Sequence, residues 1–130
     1  MRLRSARPTN DLAALERFYT ALGCEVVGRF EDHQGFDGLI LGRAGERWQI
    51  EFVREHGVAA PRAPTPEHLL VFYVDDEASL HACARRLLDA GAREVAPHNP
   101  YWSACARCFE DPDGYVVAVS LPPPQTLERR

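Results

Sequence analysis

The sequence predicts an α+β fold that is built from two βαβββ modules. Two stretches, starting at Arg4 and at His68, follow the same order, and an aspartate stands seven residues after each start, at Asp11 and Asp75. An amphipathic helical pattern and then several short strand patterns follow each aspartate. A helix can protect only one face of the sheet in such a module. The other face therefore has to close against the second module or against another chain.

The first module is predicted over residues 2–54. Asp11 is a good N-cap, apolar residues recur after it at helical spacing, and Gly23 stands where a glycine ends a helix. Ala44 and Gly45 form the predicted hairpin turn. Strands are predicted over residues 2–8, 24–30, 35–43 and 47–53.

The second module is predicted over residues 67–121. Asp76 is expected to cap its helix and Gly91 to end it. Residues 111–114, with the sequence Asp-Pro-Asp-Gly, are typical of a tight turn because proline presets φ and glycine tolerates positive φ. Strands are predicted over residues 68–74, 92–95, 104–110 and 115–121, with a loop over 96–103.

The two modules are predicted to form one domain of residues 1–121. Residues 55–66 contain three prolines and no periodic pattern, which indicates a linker between the modules. Residues 122–130 also contain three prolines and are predicted to be an extended tail.

The composition excludes several classes of function. The formal charge is −4, and no arginine cluster dominates one stretch, which argues against nucleic-acid binding. All 15 basic residues are arginine, so Schiff-base chemistry and a P-loop lysine are excluded. No apolar run could cross a membrane, and no secretion signal is visible. We therefore expect a cytoplasmic protein whose four cysteines are reduced thiols.

The order of these elements, the Asp-Leu helix start and the hairpin sequence Phe-Glu-Asp-Pro-Asp-Gly-Tyr at 109–115 together resemble the vicinal oxygen chelate superfamily. That superfamily includes glyoxalase I, extradiol dioxygenases, fosfomycin-modifying enzymes and bleomycin resistance proteins. Residues 6–9 and the loop at 100–102 resemble a small bacterial subgroup without a settled function. The resemblance covers about residues 2–121 and implies a glyoxalase-like open barrel around a cavity, and a homodimer.

The resemblance also implies four positions for a metal site, which are Arg4, Glu51, His68 and Ala118 in this chain. A catalytic divalent metal usually needs three or more protein ligands. Arg4 carries a fixed positive charge and Ala118 has no donor atom, so only Glu51 and His68 could bind a metal. We expect no cofactor, although a divalent metal stays possible. The spacing of His33, His98 and Cys108 does not support a rearranged site.

We hypothesise that the Arg4 guanidinium takes the place of the missing metal and pairs with Glu51, with His68 nearby. Such a pair could orient a small organic ligand in an apolar cavity, or it could be an internal ion pair that only orders the structure. His68 could also act with Glu51 as a catalytic acid or base near neutral pH. A structural or partly exposed histidine is the alternative.

Tyr101 and Trp102 make the loop before the last hairpin a candidate lid. Their large apolar faces with polar edges suit stacking on a planar ligand. Trp102 could equally fill the cavity or pack at a dimer contact. The Cys-x-x-Cys pair of Cys105 and Cys108 does not open a helix, so redox chemistry is disfavoured.

The sequence therefore favours a glyoxalase or bleomycin resistance-type protein without a metal, binding a small organic molecule next to Arg4, Glu51, His68, Tyr101 and Trp102. The first alternative is a metal-dependent lyase, isomerase or dioxygenase that uses His68 and Glu51, with an activity such as that of lactoylglutathione lyase. The second is a protein with a filled cavity and only an interaction role.

Overall fold

The computed structural model describes residues 1–123 and confirms the α+β fold with two βαβββ modules. The first module consists of β1 (Leu3–Pro8), α1 (Leu12–Leu22), β2 (Glu25–His33), β3 (Phe36–Gly42) and β4 (Trp48–Glu55). The second consists of β5 (Leu69–Tyr73), α2 (Glu77–Asp89), β6 (Arg93–Val95), β7 (Ala106–Glu110) and β8 (Val116–Ser120). The predicted tail lies outside the described residues from residue 124 onward. No helix within residues 1–123 is long and apolar enough to cross a membrane.

The helix caps reveal how the two modules correspond. The Asp11 carboxylate accepts a hydrogen bond from the Ala14 amide at 3.0 Å, and the Asp76 carboxylate accepts one from the Ser79 amide at 2.7 Å. Asp76, and not Asp75, is thus the counterpart of Asp11. The residue of the second module that corresponds to Arg4 is then Leu69, one position after His68. A shift of one residue matters because it moves a strand side chain to the opposite face of the sheet.

Both modules have the same sheet topology. In the first sheet the strand order is β1-β4-β3-β2, and in the second it is β5-β8-β7-β6. The first strand of each module runs parallel to the last, and the other pairs are antiparallel. In the described part of the chain no strand pair joins the two sheets, so they are not closed into a barrel. This agrees with the predicted open arrangement of two four-stranded sheets.

One hydrophobic core lies between the modules and explains why the sheets stay apart. It contains Tyr19 from α1 and Leu87 from α2, together with Phe52 of β4 and Val117 of β8. The two helices also touch directly, because Arg86 of α2 donates to the Ala21 carbonyl at 2.9 Å. Each sheet thus turns its helix-covered face toward the other module. The opposite face of each sheet, which we call its outer face, points away from this core.

A buried ionic cluster crosses from one module to the other. Arg7 of β1 binds the carboxylates of Asp111 and, at 3.1 Å, Asp113, and its guanidinium lies 3.8 Å from the centre of the Tyr115 ring. Tyr19 donates its hydroxyl proton to Asp111 at 2.7 Å. The predicted turn at 111–114 therefore also supplies the acidic half of an interface. Burial raises the pKa of Asp113, and it also raises the pKa of Tyr19.

Candidate functional site

The structure brings Arg4 and Glu51 together on the outer face of the first sheet. Arg4 Nη1 lies 3.1 Å from Glu51 Oε1. Gln49, which the sequence did not single out, accepts two further hydrogen bonds at Oε1, from Arg4 Nε at 3.1 Å and from Nη2 at 2.6 Å. One guanidinium is therefore held by a carboxylate and an amide from the same neighbouring strand.

Strand register explains this arrangement. β1 runs parallel to β4, with Arg4 opposite Gln49 and Ala6 opposite Glu51. Alternation along β4 places Gln49 and Glu51 on the outer face, whereas Ile50 and Phe52 enter the core below α1. Gln49 could have been identified from the sequence as a neighbour of Arg4, because it is two positions from Glu51 on the same strand and so lies on the same face.

The floor beside this polar group is apolar. Ile40 of β3 pairs directly with Glu51, and Phe30 of β2 pairs with Gly38. The Phe30 ring covers Gly38 so closely that a Cβ atom on this glycine would stand 2.1 Å from the ring. The outer face of the first sheet thus combines one guanidinium, one carboxylate and one amide with an aromatic and an aliphatic side chain.

The Arg4–Glu51 pair stays accessible to a ligand. The Arg4 side chain is 47% exposed and that of Glu51 is 18% exposed. An exposed pair of this kind contributes only about 0–1 kcal/mol to stability. The guanidinium also has more N–H donors than its three contacts use, so some can still bind a ligand.

The structure does not bring His68 to this pair. His68 is exposed, and its ring packs edge-to-face on Tyr115 with the centroids 5.5 Å apart. No hydrogen bond or ion pair joins it to Arg4 or Glu51 within the described residues. Because side chains alternate along a strand, His68 belongs to the same side of the sheet as Leu70 and Phe72, which pack against the core. Arg4 lies on the opposite side of its own sheet, since the distance from His68 to the cap of α2 is one residue longer than the distance from Arg4 to the cap of α1.

The outer face of the second sheet is apolar. Ala118 of β8 pairs with Val71 on one side and with Cys108 on the other. Burial raises the pKa of the Cys108 thiol, which keeps it neutral. Around Ala118 this face therefore presents apolar side chains, among them Leu69, Val71 and Val116.

Tyr101 and Trp102 lie at this second outer face. The predicted loop contains a short 3-10 helix, Pro100–Ala104, whose start is capped by the Asn99 side chain accepting from the Tyr101 amide at 2.9 Å. Trp102 packs against the cluster that contains Cys108 and Ala118. Tyr101 stands edge-to-face on Trp102 and is 54% exposed. Trp102 thus covers part of the sheet, and Tyr101 faces solvent.

The donor atoms of these faces do not fit a divalent metal. Glu51 is the one carboxylate in the Arg4 group, and its partner is a fixed cation. Leu69, which the helix caps align with Arg4, and Ala118 have no donor atom. Across residues 1–123, no group of three or more histidine, cysteine, aspartate or glutamate side chains is arranged to hold a metal ion.

Family comparison matches both modules. The YycE-like N-terminal domain matches residues 3–53, and the YycE-like C-terminal domain matches residues 67–120. The chain belongs to the YycE-like family. The "Uncharacterized protein YycE" of Bacillus subtilis (strain 168) is 38% identical over 116 residues, which cover 88% of this chain and 84% of that protein.

Solved structures place the YycE-like fold among glyoxalase and resistance proteins. The crystal structure of a YycE protein from Bacillus subtilis superposes with a TM-score of 0.88 at 36% identity, covering 98% of this chain and 93% of that one. Glyoxalase I of Leishmania major has a TM-score of 0.73 at 17% identity and covers 93% and 86%. TnmS3, an antibiotic binding protein from Streptomyces sp. CB03234, has a TM-score of 0.65 at 21% identity and covers 94% and 95%. The predicted resemblance to glyoxalases and resistance proteins is thereby confirmed for the fold.

Proposed function

We propose that this YycE-like protein is a homodimeric binding protein for a small organic molecule and that it works without a metal. The ligand lies on the outer face of the first sheet and contacts Arg4 and Glu51. The observation that carries this proposal is the guanidinium of Arg4, which Gln49 and Glu51 hold on an open and otherwise apolar floor. A fixed polar group on an apolar surface is the usual composition of a small-molecule site.

The chemistry of the group limits the ligand. Arg4 offers N–H donors and a charge that does not titrate, whereas Glu51 offers an acceptor. The two charges offset each other, so the ligand needs an acceptor oxygen beside Arg4 and a donor beside Glu51. Phe30 and Ile40 favour an apolar, preferably planar body. TnmS3 is an antibiotic binding protein of the same fold, which supports a binding role for this architecture.

A second copy of the chain would complete the cavity. The two outer faces of one chain point away from each other because the shared core lies between the modules. Covering the first outer face therefore needs the second outer face of a partner. In such a dimer the partner's Trp102 and the partner's Tyr101 would close the ligand over Arg4. His68 takes no part, because it packs on Tyr115 at the other side of the sheet.

The cysteines support a cytoplasmic location for this activity. All four cysteines are free thiols, as expected in a reducing compartment. Cys24, Cys83 and Cys108 are buried in the hydrophobic clusters and act there as small apolar side chains.

The test combines light scattering with ligand screening. Size-exclusion chromatography with light scattering should give the mass of two chains. A panel of aromatic antibiotics and planar hydroxy acids, screened by native mass spectrometry, should yield a compound that binds and is recovered unchanged. Arg4→Met and Glu51→Gln should each weaken its binding about tenfold or more, since each removes a charge-assisted hydrogen bond.

Arg29→Met is the matched control. Arg29 also forms a surface ion pair in the first module, with Glu16 at 2.6 Å, but this pair lies away from Arg4. The control should bind the compound as the parent protein does. A ligand whose affinity is insensitive to Arg4 and Glu51, or a monomeric protein with full affinity, would contradict the proposal.

A further inference from the structure

A cleft of about 890 Å³ lies between the two modules, apart from the Arg4 site on the outer face. We call it the inter-module cleft. Edge strands β1 and β5 form its sides, and neither pairs with the other, so the backbone edge of β5 also faces the opening. Trp48 and Phe72 form its aromatic wall, with ring centroids 5.5 Å apart. Residues from both modules therefore surround one concave space.

Two guanidiniums converge on one end of this cleft. Arg43 Nη1 donates to the Gly23 carbonyl at 3.1 Å, and Arg86 donates to the carbonyls of Ala21 and Leu22 at 2.9 and 3.2 Å. A Cβ atom placed on Gly23 would lie 3.1 Å from Arg43 Nη1 and 3.6 Å from Arg86 Nη2. Both charged groups thus lie around the same point at the end of α1, and both line the cleft.

Carbonyl oxygens, and not carboxylates, bind the two guanidiniums. Neither Arg43 nor Arg86 forms an ion pair with a carboxylate within the described chain. Their partners are the last carbonyls of α1, whose helix dipole supplies only about half a negative charge against two positive ones. Burial raises the pKa of the neighbouring Cys24 thiol to about 12, so that thiol does not supply a counter-charge at neutral pH.

We propose that the inter-module cleft is a second binding site, which takes a small organic anion with a planar apolar body. The carboxylate of such a molecule would bind Arg43 and Arg86, and its ring would lie against Trp48 and Phe72. Glu46 and Asp75 also line the cleft, and they favour a monoanion over a polyanion. This site is independent of the one proposed around Arg4, although Gln49 reaches both.

Isothermal titration with 2-naphthoate tests the site, and its neutral analogue 2-naphthamide serves as the matched probe. We expect saturable 2-naphthoate binding, about tenfold or more weaker binding of the amide, and about tenfold or more weaker 2-naphthoate binding in Arg43→Met and in Arg86→Met. Shifts of the Trp48 indole N–H signal in NMR spectra should report the position of the ring. Arg85→Met, on the exposed side of α2, is the control and should change nothing.

Two of the variants, Arg43→Met and Glu51→Gln, keep the test decisive. Arg86 holds two carbonyls of α1, so Arg86→Met can weaken the fold, whereas Arg43 holds one, and Arg43→Met answers the question if Arg86→Met does not fold. Glu51→Gln alters the site on the outer face but does not line the cleft, so 2-naphthoate binding should persist in it. Four results would overturn the inference. They are equal affinity of Arg43→Met and the parent for 2-naphthoate, equal affinity of the parent for the amide, NMR shifts centred on Trp102, and the absence of saturable binding.

Discussion

Tyr19 of the first module donates its hydroxyl proton to Asp111 of the second module at 2.7 Å, in a place where the Asp111 side chain is fully buried. Arg7 binds the same carboxylate and also Asp113. A single turn of the second module therefore binds one side chain from a strand and one from a helix of the first. This contact joins the modules by polar interactions at the edge of the shared apolar core.

Replacing Arg7 with methionine should reduce the free energy of unfolding by about 3–5 kcal/mol, because it leaves the buried Asp111 carboxylate without its cation. Urea denaturation followed by circular dichroism measures the loss. Arg29→Met is the control, since Arg29 forms an exposed pair that should contribute nothing measurable. Equal stability of the two variants would show that the cluster does not hold the modules together.

The pH dependence of stability should contain a contribution from Asp113. Burial raises the pKa of Asp113 in the folded protein above its usual value of 3.8. A raised folded-state pKa means that this contribution is fully present below pH 3.8 and is lost as the pH rises through the folded-state value. Asp113→Asn stays neutral, so its stability relative to the parent should improve from acidic to neutral pH. Denaturation curves across this range give the sign, and a change in the opposite direction would refute it.

Gly38→Ala should destabilise the first module, because the added Cβ atom would stand 2.1 Å from the Phe30 ring. The ring has to leave its place on the outer face, at a cost of about 1–3 kcal/mol. Gly28→Ala is the matched control, since its nearest contact would be Ile40 Cδ1 at 3.3 Å, at the flexible end of that side chain. Thermal denaturation compares the two. Adding Phe30→Leu to Gly38→Ala should restore part of the loss.

The protein should retain no stoichiometric metal. The Arg4 guanidinium pairs with Glu51, which is the one carboxylate of that group, so a divalent cation would meet a fixed positive charge and too few donors. Elemental analysis after incubation with Fe, Mn, Ni and Zn and desalting checks this. About one metal per chain, lost in Glu51→Gln, would instead indicate an enzyme site at Glu51.

Local chemistry allowed much of the fold to be predicted from the sequence. Asp11, Asp76 and Gly23 cap their helices as expected, and the tight turn at 111–114 joins the predicted hairpin. The family resemblance also led us to expect a pair between Arg4 and Glu51, and the parallel pairing of β1 with β4 brings their side chains together. The position of His68 could not be predicted by counting residues to Asp75. The aspartate that caps α2 is Asp76, so the count is wrong by one residue and His68 falls on the other side of its strand.

The sequence by itself determined the two βαβββ modules with their caps and turns, because each of these depends on residues close together in the chain. Only the tertiary structure decided that the helices face each other, that Arg7 enters a buried cluster with Asp111, and that Arg43 and Arg86 converge at Gly23. These relationships join residues far apart in the chain, and they depend on which sheet face is buried. A shift of one residue along a strand reverses that choice.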